Sequence, residues 1–233
     1  MLPLAQQYEP FAERYSATIE SHPFRIYYEK PATLALLPDV RGKDVLDAGC
    51  GPGIYSEWLL QHGARVVAVD YAESFVEITR QRVKGAAKVL RADLSQPLTF
   101  AADSTFDIVL STLTFHYIED WRALFHELHR VLRPGGVVVF TITHPLSTLA
   151  TERSYFNTEL YEMLWTNFGE PYPRINIFRR SLSEMINPIV ETGFSIDTIA
   201  EPKPVPEYEQ VAPEDYAQWS HEPILLGMRV RKP

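Results

Sequence analysis

The stretch Val45-Leu46-Asp47-Ala48-Gly49-Cys50-Gly51-Pro52-Gly53 ends an apolar run in a glycine-rich turn, and a second apolar run, Arg65-Val66-Val67-Ala68-Val69, ends in Asp70. Strand, glycine turn, helix, strand and acid, in that order, describe a βαβ nucleotide site. Glycines at 49, 51 and 53 let the backbone approach a ligand that a Cβ would hold off. A carboxylate at Asp70 can accept hydrogen bonds from both hydroxyls of a ribose. The spacing narrows the ligand further. A dinucleotide fingerprint starting at Gly49 needs its third glycine at position 54, where Ile54 stands. A phosphate-binding loop needs a lysine, and no cationic side chain lies between Asp44 and Gln61. Asp47 and Glu57 bring negative charge instead, which suits a nucleoside whose far end carries an amine and a sulfonium rather than phosphates.

From Lys43 onward, short β-branched runs alternate with amphipathic segments, the pattern of a parallel sheet with crossover helices. Strands are expected near 44–49, 65–70, 87–91, 106–111, 136–143, 194–200 and 224–230, and helices near 54–62, 72–84, 119–132 and 181–192. The helix at 119–132 sets Trp121, Leu124, Phe125, Leu128, Val131 and Leu132 on one face. Ligands of open α/β sheets bind beyond the carboxyl ends of the strands. Gly49, Asp70, Asp93 and Ser111 fall at or just after such ends, so they should converge on one crevice. Residues 144–180 are rich in aromatic side chains without a clean strand period, and four prolines make 201–213 an extended connection.

Five segments in order resemble the class I S-adenosylmethionine-dependent methyltransferases: Val45–Gly53, Asp70, Arg91-Ala92-Asp93-Leu94, Phe106-Asp107-Ile108-Val109-Leu110-Ser111 and Leu132-Arg133-Pro134-Gly135-Gly136. The resemblance implies an α/β, three-layer Rossmann-like methyltransferase fold: a mostly parallel seven-stranded sheet whose antiparallel last strand inserts between the fifth and sixth. It implies S-adenosylmethionine as cofactor and S-adenosylhomocysteine as product. It places the methionine end along Gly49, Cys50, Gly51 and Gly53, the ribose on Asp70, and the adenine against Asp93 and Leu94 beside Tyr71, with Ser111 at the fourth strand's end. Asp47 would face the loop amides or the methionine amine. Residues 1–40 are expected to form a helical cap over the cofactor site, with Tyr28 reaching the methionine carboxylate and Arg25 as its rival. The domain proper would be 41–233, with 144–180 as an acceptor-binding lid. His116, after the fourth strand, and His144, after the fifth, are the candidate general bases. Cys50 is read as a packing residue rather than a nucleophile.

Composition bounds the partners. A chain of 233 residues suits one α/β domain with a modest insertion. A net charge of −8 argues against a nucleic-acid surface, and Ser111-Thr112-Leu113-Thr114 stands where base-amine methylases carry Asn/Asp-Pro-Pro-Tyr/Phe. A single cysteine fits a reducing, cytoplasmic setting. No leader pattern is visible in Met1–Pro10, no apolar run suits a membrane, and no His/Cys cluster has metal-ligand spacing. The expected partner is a small, apolar or aromatic methyl acceptor, bound by a monomer or homodimer. The alternatives are a non-catalytic binder of the same cofactor, acting as a regulator or partner subunit, and a nicotinamide-dependent dehydrogenase.

Overall fold

The computed structural model describes residues 7–148 and 154–233. The parts of the cap and insertion expectations that fall on residues 1–6 and 149–153 lie outside the described residues. Helix α1 (Ala12–Ile19) and a π-helical turn (Arg25–Glu29) lead into α2 (Lys30–Leu36). The doubly wound portion follows as β1 (Asp44–Ala48), α3 (Ile54–Gln61), β2 (Arg65–Asp70), α4 (Glu73–Val83), β3 (Lys88–Arg91), β4 (Phe106–Thr112), α5 (Trp121–Val131) and β5 (Leu132–Thr143). A hairpin, β6 (Glu159–Leu164) and β7 (Arg174–Arg179), precedes α6 (Leu182–Glu191), β8 (Ser195–Ala200), α7 (Pro213–Trp219) and β9 (Leu225–Arg231).

The main sheet has the order β3-β2-β1-β4-β5-β9-β8, with β9 antiparallel to both neighbours, as the family resemblance implied. Side chains alternate between two buried faces. Leu46, Val109, Val138 and Phe140 pack under α5 and α6, whereas Val45, Ile108, Val137 and Val139 pack under α2, α3 and α4. Burial of both faces explains why these strands read as near-continuous apolar runs. The apolar stripe of α5 is buried as expected, and Asp120 caps that helix by accepting from Ala123 N at 3.0 Å. Because the chain leaves β1 toward β2 and β3 and then returns to its other side with β4, a crevice opens beyond the carboxyl ends of β1 and β4.

Three expectations need correction. Strand β5 begins at Leu132, not at 136: Leu132 pairs with Phe106, and the Pro134–Gly135 bulge shifts the register before Val137 meets Ile108. The 144–180 segment does contain strands, because Ile175 and Ile177 alternate with exposed or half-buried neighbours and pair with Met163 and Tyr161. The 201–213 connection is not fully extended. Tyr208 buries itself against the face of Tyr27 and folds Pro206–Gln210 into a short helical turn ahead of α7. No helix among the described residues is long and apolar enough to cross a membrane.

Candidate active site

A cavity of about 570 Å³ fills the crevice, well within the size range of small-molecule sites. Its floor is the glycine turn after β1. Gly49 and Cys50 both donate their N–H to Val69 O, at 2.8 and 2.9 Å, which pins the turn to the end of β2. Gly49 has φ +81°, and a Cβ there would lie 2.3 Å from Thr114 side-chain atoms. Gly51 has φ +52°, and a Cβ there would meet nothing within 4 Å, so its backbone faces open space. Gly49→Ala should therefore lower stability by about 2–4 kcal/mol, through left-handed strain plus a clash. Gly51→Ala should cost about 1 kcal/mol in stability yet weaken ligand binding. Chemical denaturation and calorimetry on both variants check this contrast.

Asp70 joins the turn to the second strand. Its Oδ2 accepts from Gly51 N at 2.8 Å and its Oδ1 from Ala72 N at 2.9 Å. Burial raises its pKa to about 6 against the pull of these backbone donors. Each oxygen keeps a second lone pair for a ligand hydroxyl. Further along the cavity, Asp93 Oδ1 accepts from Ser95 N at 2.9 Å and Ser95 Oγ at 2.6 Å, while Tyr71 and the buried Leu94 line the adjacent wall. The Arg91 guanidinium stacks over the Tyr71 ring at 5.2 Å.

The roof comes from two segments far apart in sequence. Tyr8 and Tyr15, near the amino end, meet Trp165 and Phe168 from the β6–β7 turn, with Tyr15 stacked on Phe168 at 5.1 Å. The Tyr8 and Tyr117 hydroxyls pair at 2.7 Å. Polar bonds lace the segments together: Asn176 N donates to Gln7 Oε1 at 2.6 Å, and Arg14 donates to the carbonyls of Glu170 and Pro171 at 2.8 and 3.0 Å. Arg25 also lines the cavity. Its Nη1 bonds Glu29 Oε2 at 3.1 Å, its guanidinium sits over Tyr55 at 4.7 Å, and its Nη2 is buried without a partner. Glu29 is held in turn by Thr33 Oγ1 at 2.8 Å and Tyr55 Oη at 2.9 Å.

The profile of a methyltransferase domain family matches residues 46–140, the span that carries the glycine turn, Asp70 and Asp93. The solved structure of an S-adenosylmethionine-dependent methyltransferase from Mesorhizobium loti is 26% identical, covers 87% of this chain and 97% of its own, and superposes with a TM-score of 0.72. Residues 46–140 are a methyltransferase domain, in a chain with the fold and cofactor of the class I S-adenosylmethionine-dependent methyltransferases. An uncharacterised protein of Haemophilus influenzae is 27% identical over 88% of this chain and 87% of its own length. The malonyl-[acyl-carrier protein] O-methyltransferase of Serratia marcescens is 41% identical over 43% of this chain, a match that spans 38% of that enzyme. These findings set aside the nicotinamide alternative. S-adenosylmethionine is the cofactor, and the residues fit it: an open backbone at Gly51, a carboxylate at Asp70 that can accept from hydroxyls, and an unpaired Arg25 nitrogen in a cavity whose turn carries no phosphate-binding lysine.

Gly49, Cys50, Gly51, Asp70, Tyr71, Asp93, Leu94 and His116 of the methyltransferase line the cavity, and five other expected residues do not. Tyr28 turns away on the π-helical turn, donating to Pro202 O at 2.9 Å and stacking on Trp219. Ser111 donates to Ala48 O at 2.8 Å and ties β4 to β1. Gly53 opens α3 against Thr79. His144 is enclosed between Glu201 Oε1, 2.9 Å from its Nε2, and Leu146 N, 3.1 Å from its Nδ1. Asp47 accepts from Ser56 Oγ at 2.6 Å under the turn. Cys50 lines the wall, but burial raises its thiol pKa, as suits a packing residue. Sequence reading gave the roof aromatics no individual roles, because nothing local in the chain indicates which of them face one another.

Burial raises the Asp47 pKa to about 7, and nearby Asp70 adds to the effect. A carboxyl whose native pKa lies above its unfolded value contributes stability below the unfolded pKa and loses it as pH rises through the native one. The free protein should therefore lose stability between about pH 4 and 7. Asp47→Asn should remove its share of that slope, leaving the part due to Asp70, and raise stability at pH 8 by up to about 4 kcal/mol, as read by chemical denaturation across pH.

Proposed function

We propose that the enzyme methylates a small molecule, free or attached to a carrier, whose body is apolar or aromatic. The observation that carries this reading is the continuity of one cavity from Asp70 and the glycine turn to the aromatic roof of Tyr15, Trp165 and Phe168. In this reading Asp70 accepts from the ribose hydroxyls, Asp93 and Leu94 meet the adenine beside Tyr71, and Arg25 Nη2 donates to the methionine carboxylate. Bound there, S-adenosylmethionine supplies a methyl group already activated on a sulfonium. The chain then has to bind, orient and keep water out. Positioning of this kind can account for much of a methyl-transfer rate. The amino-terminal segment and the β6–β7 hairpin act as a shared lid over the acceptor end.

The name of the Serratia enzyme supports including carrier-bound acceptors, and the acceptor-facing wall of Phe24, Ile118, Leu164 and Trp165 supports an apolar body. Calorimetric titration with S-adenosylhomocysteine should give saturable one-to-one binding. Incubation of the loaded enzyme with an acceptor panel should release S-adenosylhomocysteine. Absence of binding would overturn the reading. Tight binding with no turnover on any acceptor would favour the non-catalytic regulator instead.

A further inference from the structure

His116 sits in the short helical turn after β4, with 5% of its surface exposed, and lines the cavity. Its Nδ1 faces the backbone N–H of Thr143 at 3.4 Å and the Thr143 hydroxyl at 3.5 Å. A ring nitrogen that accepts from a backbone N–H carries no proton, so the proton of the neutral ring is on Nε2. That Nε2 is buried without a partner. Burying an unpaired donor is unfavourable, so a nitrogen kept in this state at a cavity wall points to a ligand that completes it.

Arg180 adds an independent observation. It is 2% exposed and makes no salt bridge with a described residue. Its Nη2 donates to Ile118 O at 2.8 Å and Glu119 O at 3.0 Å, its guanidinium lies over Trp121 at 5.0 Å, and its Nη1 has no partner. It is held to the carbonyl of Ile118, two residues along the chain from His116, and from there this buried positive charge disfavours a charged His116 ring. Together with a neutral donor at the cavity wall, its field favours an oxygen that bears negative charge and brings no hydrogen of its own.

We infer that His116 is a neutral hydrogen-bond donor that recognises a carbonyl-type oxygen of the methyl acceptor, a carboxylate foremost, and is not the general base of the reaction. The inference rests on the methyltransferase reading above and narrows its acceptor class. A hydroxyl or amine in the same place would bring hydrogens in need of acceptors, and the His116 lone pair is already engaged by Thr143. Burial, reinforced by Arg180, lowers the ring's pKa to about 3, so it stays neutral throughout the physiological range.

Nitrogen-15 spectra of the free protein should show the His116 ring in the Nε2–H tautomer, unchanged across neutral pH. With S-adenosylmethionine supplied, benzoate, phenylacetate and malonyl-pantetheine form the carbonyl arm of an acceptor panel, and phenol, benzyl alcohol and benzylamine the other. Turnover should be confined to the carbonyl arm. His116→Phe should lower kcat/KM there by about 10-fold or more, and His116→Gln, which restores a donor, should recover part of the loss. Affinity for S-adenosylhomocysteine should be unchanged in both variants. A charged or Nδ1–H ring, turnover confined to the other arm, a binding-competent enzyme that methylates no carbonyl acceptor, or wild-type kcat/KM in His116→Phe would each overturn the inference. Loss of S-adenosylhomocysteine binding in the wild type would strike the proposed function instead, and the tautomer result would still decide the state of the ring.

Discussion

Asp70→Ala is expected to weaken S-adenosylhomocysteine binding by roughly 100-fold or more, because in the proposed binding mode it removes the acceptor of both ribose hydroxyls. A hydrogen bond to a charged group contributes about 1.5–3 kcal/mol, so two of them correspond to at least about 3 kcal/mol, or two decades in Kd. The same substitution frees Gly51 N and Ala72 N from their carboxylate, so some loss of turn order adds to the effect. Asp70→Asn separates these contributions. It keeps the side-chain volume and one acceptor oxygen, hence one of the two backbone bonds, and should lose less turn order than Asp70→Ala while still binding weakly. The wild type should show a matching pH dependence. Ribose donors favour the ionised carboxylate, whose pKa is raised to about 6 in the free protein. Affinity should therefore fall as pH drops below about 6 and level off above about 7. Calorimetry at several pH values measures both variants and the slope, and a flat profile would assign the ribose to another group.

Arg25→Met should have the second largest effect, and on two observables at once. Arg25 and Glu29 are a buried ion pair, and removing one partner of such a pair costs about 3–5 kcal/mol because the other charge stays buried. Thr33 and Tyr55 continue to donate to Glu29, which places the expected loss near the lower end of that range. Affinity for S-adenosylhomocysteine should fall by about 10-fold to 100-fold through loss of the charged donor that we propose for the methionine carboxylate. The double variant Arg25→Met/Glu29→Gln distinguishes the two effects. It should regain most of the stability in chemical denaturation while its affinity stays low. Wild-type affinity in the double variant would make Arg25 a structural residue only.

The contrast between Arg25 and Tyr28 shows why part of the site could not be read locally. Both lie on one five-residue π-helical turn, and both carry groups able to bond a carboxylate. Which of them faces the cavity depends on Trp219, which comes from α7 at the far end of the chain and takes up the Tyr28 ring. The two histidines divide in the same way. His144 is claimed by Glu201, whereas His116 keeps a free nitrogen. Asp47 and Ser111 were placed beside the right turn, yet their side chains point to Ser56 and Ala48 under it. Strand ends tell where a residue is, and hydrogen-bond competition decides what its side chain does there.

Residue order alone is enough to specify the sheet, the glycine turn, the acid that ends β2 and the methyl donor. Each of these is encoded over a few consecutive residues, in an apolar period, a turn that tolerates positive φ, or an acid at a strand end. The roof and the unpaired nitrogens depend instead on the packed fold. Tyr8 meets Trp165, Gln7 meets Asn176, and Arg180 donates to the carbonyl of Ile118, pairs separated by tens to well over a hundred positions. Contacts at such separations depend on how whole layers pack, and no local propensity or spacing carries that information.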